Sequence, residues 1–250
     1  MLFRSAYQLG AQAIYLSPQD VGLGQRETVA DVARTLDQMV DAIVVRTCAQ
    51  ATVDELAEAA SVPVINALSD EQHPCQALAD VMTLREQWGT VRGRTITYVG
   101  DGNNVATSLA HAAVMLGINV HVASPAGYTL PPRVVEEAKT LARDGASLRI
   151  FTDPREAVKG ADAIYTDVWT SMGQEREAVK RRRVFADFQV NSSLMKAAGD
   201  QAIFMHCLPA HRGEEVTDAV MESKRSVVFD QAENRMHAQK ALLWLLLAEK

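Results

Sequence analysis

Short apolar runs alternate with helical segments along almost the whole chain, and this alternation restricts the fold more than any other feature. Ala42-Ile43-Val44-Val45, Val62-Pro63-Val64-Ile65, Thr95 to Val99, Ile118 to Ala123, Leu148 to Phe151, Ala163 to Thr166, Ala202 to Met205 and Val227 to Phe229 read as strands. Val29, Val32, Ala33, Leu36 and Met39 keep helical spacing, Gln76 to Trp88 reads as a helix ending at Gly89, and Glu233 to Glu249 as a long final helix. Thr52 with Glu55 suggests a capping box opening a helix from Val53 to Ala60. Strands separated by helices pair in parallel and are covered on both faces, so the expected class is α/β with doubly wound parallel sheets. Between Gly89 and Gly93, glycines flank a short polar segment, and a fresh strand–glycine–helix unit follows. The expected organisation is therefore two α/β halves, residues 1–88 and 89–231. Residues 232–250 would form a last helix packing back on the first half.

Composition narrows the class. Of 250 residues 48% are hydrophobic, enough for a core and too few for a membrane protein. The longest apolar stretch, Ala241 to Ala248, is far shorter than a membrane span. No secretory leader is visible in the opening Met1-Leu2-Phe3-Arg4. The net charge of -6 argues against a general nucleic-acid binder. The basic run Lys180 to Arg183 reads as a solvated helix face. Cys48, Cys75 and Cys207 are odd in number and far apart, so no disulfide framework follows, and a cytoplasmic location is expected.

The chemistry-bearing residues cluster just after the strands, where an open α/β sheet presents side chains to its ligand crevice. His206-Cys207-Leu208-Pro209 follows the apolar run Ala202 to Met205, with His211 and Arg212 close behind. Zinc at this cluster is disfavoured, because successive strand residues face opposite ways and no second ligand pair has metal-site spacing. Gly100-Asp101-Gly102-Asn103-Asn104 joins a strand to a helix and allows a ligand close to the helix N-terminus. Val105 stands where a dinucleotide fold would want a third glycine. Ala123-Ser124-Pro125 ends the next strand without the acid that binds ribose, so NAD is disfavoured. His73-Pro74-Cys75-Gln76 sits between a strand and a helix. Its histidine either donates to a carbonyl oxygen gaining charge or merely caps the helix. Arg46 ends the preceding strand and, beside His73, could clamp an anion. Asp167 again follows a strand and can pair with an ammonium group, and Ser171 lies four residues on. Arg235, placed in the first turn of the last helix, opposes the helix dipole unless it faces an anion.

Taken in order, Arg46-Thr47, His73-Pro74-Cys75-Gln76, Asp101-Gly102-Asn103-Asn104, Asp167 with Ser171-Met172-Gly173, His206-Cys207-Leu208-Pro209 and Ala232-Glu233-Asn234-Arg235 resemble the ornithine carbamoyltransferases. The likeness covers essentially the whole chain. It implies two sheet domains of carbamoyltransferase type, with 1–88 binding carbamoyl phosphate and 89–231 binding L-ornithine. It also implies carbamoyl transfer to the ornithine side-chain amine in arginine biosynthesis, with no metal or redox cofactor. By the resemblance, Arg46, His73, Gln76 and Arg235 hold carbamoyl phosphate and polarise its carbonyl. Asn104, Asp167, Ser171 and Met172 hold ornithine, while Cys207 and the Leu208 backbone lie near the reacting groups. Of these, Cys207, His73, Arg46 and Asp167 are the expected catalytic residues. A homotrimer is implied, with neither nucleic acid nor membrane as partner. The family's Ser-Xaa-Arg-Thr phosphate loop is not found in this sequence. The first domain is therefore expected to be truncated at its start and phosphate binding impaired. A non-catalytic amino-acid-binding paralogue and a carbamoyltransferase for another amine are the alternatives.

Overall fold

A computed structural model of the chain describes residues 2–171 and 173–248, the side chains at 18 and 19 excepted. The elements run α1 (Leu2–Gln8), α2 (Pro18–Val21), α3 (Val29–Asp37), β1 (Ile43–Arg46), α4 (Gln50–Ala59), β2 (Val64–Leu68) and α5 (Pro74–Trp88). There follow β3 (Thr95–Val99), α6 (Asn104–Met115), β4 (Asn119–Ala123), α7 (Pro132–Leu141), β5 (Leu148–Phe151), α8 (Pro154–Ala157) and β6 (Ala163–Thr166). The chain continues through α9 (Ala178–Val184), α10 (Ser192–Ala198), β7 (Ile203–His206), α11 (Asp218–Met221) and α12 (Val228–Leu247).

Among the described residues, β1 and β2 form a two-stranded parallel sheet, and a second parallel sheet has the order β5-β4-β3-β6-β7. The chain winds outward from β3 through β4 to β5, then returns to β6 on the other side of β3. The carboxyl ends of β3 and β6 thus flank the point where the winding reverses, the usual crevice of such sheets. Tyr98 pairs with Tyr165 across these strands, and their buried rings stack at 5.6 Å. One cluster of buried residues, including Tyr98, Leu109, Ile118, Val122 and Met205, fills one face of the sheet, and a second around Ile164, Phe185, Phe204 and Val216 fills the other. The smaller sheet has its own cluster, with Val29, Ala33, Val45, Val53 and Leu56.

The expected α/β class and its parallel sheets are what the chain forms, and several local expectations are corrected. Val227 to Phe229 is not a strand. Phe204 exchanges one pair of backbone hydrogen bonds with Arg225 and Val227, and the chain then turns directly into α12. Val228, Gln231 and Asn234 are buried while Phe229 is 65% exposed, which is helical spacing, and three apolar residues cannot distinguish the two. The last helix therefore begins five residues before Glu233. Thr52 lies inside α4, which starts after Ala49 without a side-chain cap. The basic run is not uniformly solvated. Arg181 is buried, with Nη1 donating to Asp101 Oδ2 at 2.7 Å and to the Trp169 carbonyl at 2.9 Å, and its guanidinium stacked 5.0 Å from the Tyr128 ring centre. Burial pushes the Asp101 carboxyl up, against the pull of this partner.

Two contacts fix the loop after β3. Asn103 caps α6 by accepting from the Val105 and Ala106 amides, and Gly102 donates its N–H to the Tyr128 carbonyl at 2.7 Å. A Cβ on Gly102 would lie 2.3 Å from the Thr129 carbonyl carbon and 2.4 Å from the Leu130 nitrogen, so only glycine fits against that backbone. Helix α12 lies along α5 and α1: Asn234 Nδ2 donates to Thr83 Oγ1 at 3.0 Å, and Ser5 Oγ to the Met236 carbonyl at 2.9 Å. Gly102→Ala should therefore lower unfolding free energy by about 1–3 kcal/mol or more, the cost of overpacking. Chemical denaturation checks this, and an unchanged midpoint would show that the Thr129–Leu130 backbone yields.

Candidate active site

The expected site residues lie at or just beyond the carboxyl ends of β1, β2, β3, β6 and β7, with Arg235 added from α12. Arg46 closes β1 and is exposed. His73 precedes the first turn of α5 and is 5% exposed. Its side chain does not cap the helix. Its backbone N–H donates to Ser108 Oγ at 2.8 Å, and Nδ1 is buried without a partner. Burial first, then the positive charges of Arg235 and Arg46, hold the His73 imidazole down to about 3, so it is neutral at physiological pH.

Arg235 is not in the first turn of its helix. It lies seven positions after Val228, so opposition to the helix dipole does not apply. It is half-buried, its Nε has no hydrogen-bond partner, and its charge is felt by His73, Cys75 and Asp80. Neither Arg46 nor Arg235 makes an ion pair among the described residues. Two guanidinium groups and a neutral imidazole with an unpartnered nitrogen thus make a region suited to an anion carrying a carbonyl. Gln76 is buried beside them. Its Nε2 donates to Asp80 Oδ1 at 2.8 Å, and its Oε1 is unpartnered.

A second group assembles around Asp167, just past β6. Its Oδ1 accepts from the Val168 amide at 2.8 Å and from the Cys207 thiol at 2.9 Å, and its Oδ2 accepts from Asn103 Nδ2 at 2.8 Å. Because Asn103 Oδ1 already accepts the helix-capping amides, the sense of that last bond is fixed. Burial, reinforced by the Asp167 charge, pushes the Cys207 thiol well up, so the sulfur holds its proton and donates it to the carboxylate.

The loop beyond β7 is held by a buried carboxylate. Glu215 Oε1 accepts the His211 N–H at 2.5 Å and lies 3.2 Å from His206 Nε2. His206 Nδ1 accepts the Leu208 N–H at 2.8 Å, so the ring proton belongs on Nε2 and is given to Glu215. These bonds span both ends of the loop and support Leu208 at φ 55, a conformation uncommon for a leucine.

Asn104 stands elsewhere in the network. Its Nδ2 donates to the Ser69 carbonyl at 2.6 Å and its Oδ1 accepts from Val105, which ties the β2–α5 loop to the start of α6. Ser171 is half-buried and its N–H donates to Gln174 Oε1 at 3.1 Å. Met172 lies outside the described residues. Asp80 and Gln231 are polar residues of this region that sequence reasoning did not single out. Asp80 carried a cue, lying four residues after Gln76 on the same helix face.

Asp167, His206 and Cys207 bring potential metal ligands within 4.8 Å of one another, as do His211, Glu214 and Glu215. In the first group the thiol is bonded to the carboxylate and both imidazole nitrogens have partners. A cation there would have to displace hydrogen bonds already made. Among the described residues no helix is long and apolar enough to cross a membrane.

Comparison with known proteins adds a family to this geometry. The family model described as the aspartate/ornithine carbamoyltransferase carbamoyl-P binding domain matches residues 3–86, and that for the Asp/Orn binding domain matches residues 92–246. A protein of Thermococcus kodakarensis named ornithine carbamoyltransferase is 57% identical over 242 residues, covering 96% of this chain and 77% of the relative. One of Pyrococcus furiosus named ornithine carbamoyltransferase, anabolic, is 56% identical over 240 residues, with 96% and 76% covered. The solved ornithine carbamoyltransferase of Pyrococcus furiosus superposes with a TM-score of 0.96 at 54% identity, covering 100% of this chain and 80% of that one. The structure from Gloeobacter violaceus gives 0.88 at 46%, with 98% and 80% covered. On the two family models, the sequence identity and the superposition together, the chain belongs to the ornithine carbamoyltransferases of the aspartate/ornithine carbamoyltransferase family.

Proposed function

We propose that this chain transfers the carbamoyl group of carbamoyl phosphate to the side-chain amine of L-ornithine, giving L-citrulline and phosphate in arginine biosynthesis. The observation that carries the reading is the pair of half-sites joined through Gln231. One holds two unpaired guanidinium groups around a neutral His73, and the other a buried Asp167 bonded to the Cys207 thiol. The relative named anabolic supports the biosynthetic direction.

The chemistry follows from the charges. An alkyl ammonium group has a pKa of about 10.4 and must lose a proton before it can attack. Asp167 is placed to pair with the arriving ammonium, since Oδ2 accepts only one hydrogen bond. The free amine then attacks the carbonyl carbon, the bond from that carbon to the phosphate oxygen breaks, and the departing phosphate takes the proton released by the amine. His73 and the two arginines stabilise charge on the carbonyl oxygen and the leaving phosphate. Cys207 keeps its proton and serves to orient Asp167 and the amine, with no covalent step. Ser171, Met172 and Asn104 are assigned to ornithine, and the Leu208 backbone to the carbamoyl group. In this reading 1–88 is the carbamoyl-phosphate domain, 89–231 the ornithine domain, and 232–250 the closing segment that returns Arg235 to the first. A cytoplasmic homotrimer, as the family resemblance implies, belongs to the same reading; light scattering should give a trimer mass, and a monomer mass would contradict it.

Citrulline formed from the two substrates by the purified chain tests the function. Binding of the ornithine analogue norvaline without any citrulline would instead favour an amino-acid-binding role. Arg235→Gln should raise the dissociation constant for carbamoyl phosphate about tenfold to a hundredfold, since hydrogen bonds from charged groups contribute about 1.5–3 kcal/mol. Norvaline affinity measured in the same variant should stay within about twofold, and equal losses for both ligands would contradict the assignment. His73 gives a second test. Its folded-state value lies below the unfolded one of about 6.5, so the unfolded chain takes the proton first. Its contribution to stability is then whole above pH 6.5 and falls as the pH drops towards about 3. Imidazole proton resonances assigned with His73→Asn should show a neutral ring at pH 5, and a midpoint near 6.5 would refute it.

A further inference from the structure

A chain of side-chain amides crosses the molecule behind the site, and one backbone group fixes the sense of every bond in it. The His206 N–H is a donor and nothing else. It donates to Gln231 Oε1 at 3.0 Å, so the Gln231 nitrogen must lie on the opposite side. That nitrogen donates to Asp80 Oδ1 at 2.6 Å and to the Tyr165 hydroxyl at 3.1 Å, which uses both of its protons. Asp80 Oδ1 is therefore an acceptor. Gln76, 2.8 Å from the same oxygen, must present its nitrogen to it and turn Oε1 the other way. All five residues are buried, with Asp80, Tyr165 and Gln231 at 0% exposure, and Gln76 Oε1 is left without a partner.

Resting on the carbamoyl-phosphate reading above, we infer that Asp80 is a positioning residue that fixes Gln76 as a hydrogen-bond acceptor and so selects an acyl phosphate bearing an N–H₂ group. An acceptor oxygen satisfies the amino group of a carbamoyl substrate. An acetyl group of nearly the same shape offers it only a methyl. A glutamine free to turn would present its own N–H₂ as readily and would lose this preference. Polarising the carbonyl then falls to His73, Arg46 and Arg235, since the Gln76 nitrogen is committed to Asp80. Burial pushes the Asp80 carboxyl up to about 7, against the hydrogen bonds from Gln76, Gln231 and Tyr165. A proton taken up there has the unpartnered Oδ2 to occupy, so Oδ1 goes on accepting in either state.

The test is the ratio of the dissociation constants for acetyl phosphate and carbamoyl phosphate, measured by calorimetry on the purified chain and two variants. Asp80→Leu removes the acceptor, and the ratio should fall by about threefold to tenfold, the worth of one neutral hydrogen bond. Asp80→Asn keeps an oxygen at the Oδ1 position and should retain the wild-type ratio. General damage to the site weakens both ligands together and leaves the ratio where it was, so an unchanged ratio in Asp80→Leu overturns the inference alone. A wild-type chain that is folded and binds neither ligand, even at concentrations high enough to offset the absence of the Ser-Xaa-Arg-Thr loop, overturns the carbamoyl-phosphate reading and the inference with it. Should Asp80→Leu not fold, the wild-type chain decides by nitrogen-resolved NMR. The Gln76 side-chain N–H₂ resonances, assigned with Gln76→Glu, should stay in place when carbamoyl phosphate binds, because that nitrogen faces Asp80. A shift as large as that of a directly bonded donor would overturn the inference.

Discussion

Gln231 stands between three elements that are distant in the chain, and the geometry of the site depends on it. Its oxygen takes the amide at the end of β7, and its nitrogen holds a carboxylate on α5 and a hydroxyl on β6. The two halves meet here through buried polar groups, where an unmade hydrogen bond costs about 1–3 kcal/mol. Such a junction is intolerant of small displacements in a way that apolar contact is not. The strand that delivers Cys207 and the helix that delivers Gln76 are thereby held in one register, and reactants held in register need less reorganisation to react.

The two half-sites reach opposite electrostatic states by the same means. Burial keeps His73 neutral beside two guanidinium groups, and burial with a neighbouring carboxylate keeps Cys207 a thiol. In both cases the group that could carry charge is left as a directed dipole, and the formal charges remain on Arg46, Arg235 and Asp167. Charges fixed before substrate arrives stabilise a developing oxyanion without further rearrangement. The Glu215–His206–Leu208 bonds act in the same way on the backbone, holding a leucine at positive φ where the loop passes the site.

The fold class and the places where chemistry gathers were legible in the sequence because both are local. Strand-length apolar runs, and the polar motifs immediately after them, put Arg46, His73, Asn103, Asp167 and Cys207 at strand ends, where the structure has them. Val227 to Phe229 was misread because so short a run has no period, and the single bridge from the adjoining Ser226 to Phe204 shows how near a strand it comes. The capping box at Thr52 failed because α4 starts earlier, and Arg181 was misjudged because its partner is 80 residues away. The bond between Asp80 and Gln231 spans 151 positions, and no local pattern could announce it. Only Asp80's place one turn after Gln76, on a helix that also buries Cys75, Ala79, Thr83 and Leu84, hinted at a buried polar pair.

The central claim is that the cation-lined half and the Asp167–Cys207 half act on one pair of substrates held between them. Calorimetric titration with the bisubstrate analogue N-phosphonoacetyl-L-ornithine tests it most directly. The account predicts one analogue bound per chain, with an affinity at least tenfold above that of norvaline alone, since joining the two ligands makes the second contact intramolecular. A folded chain that binds norvaline as tightly as the bisubstrate analogue would contradict it, because the two halves would then not share a site.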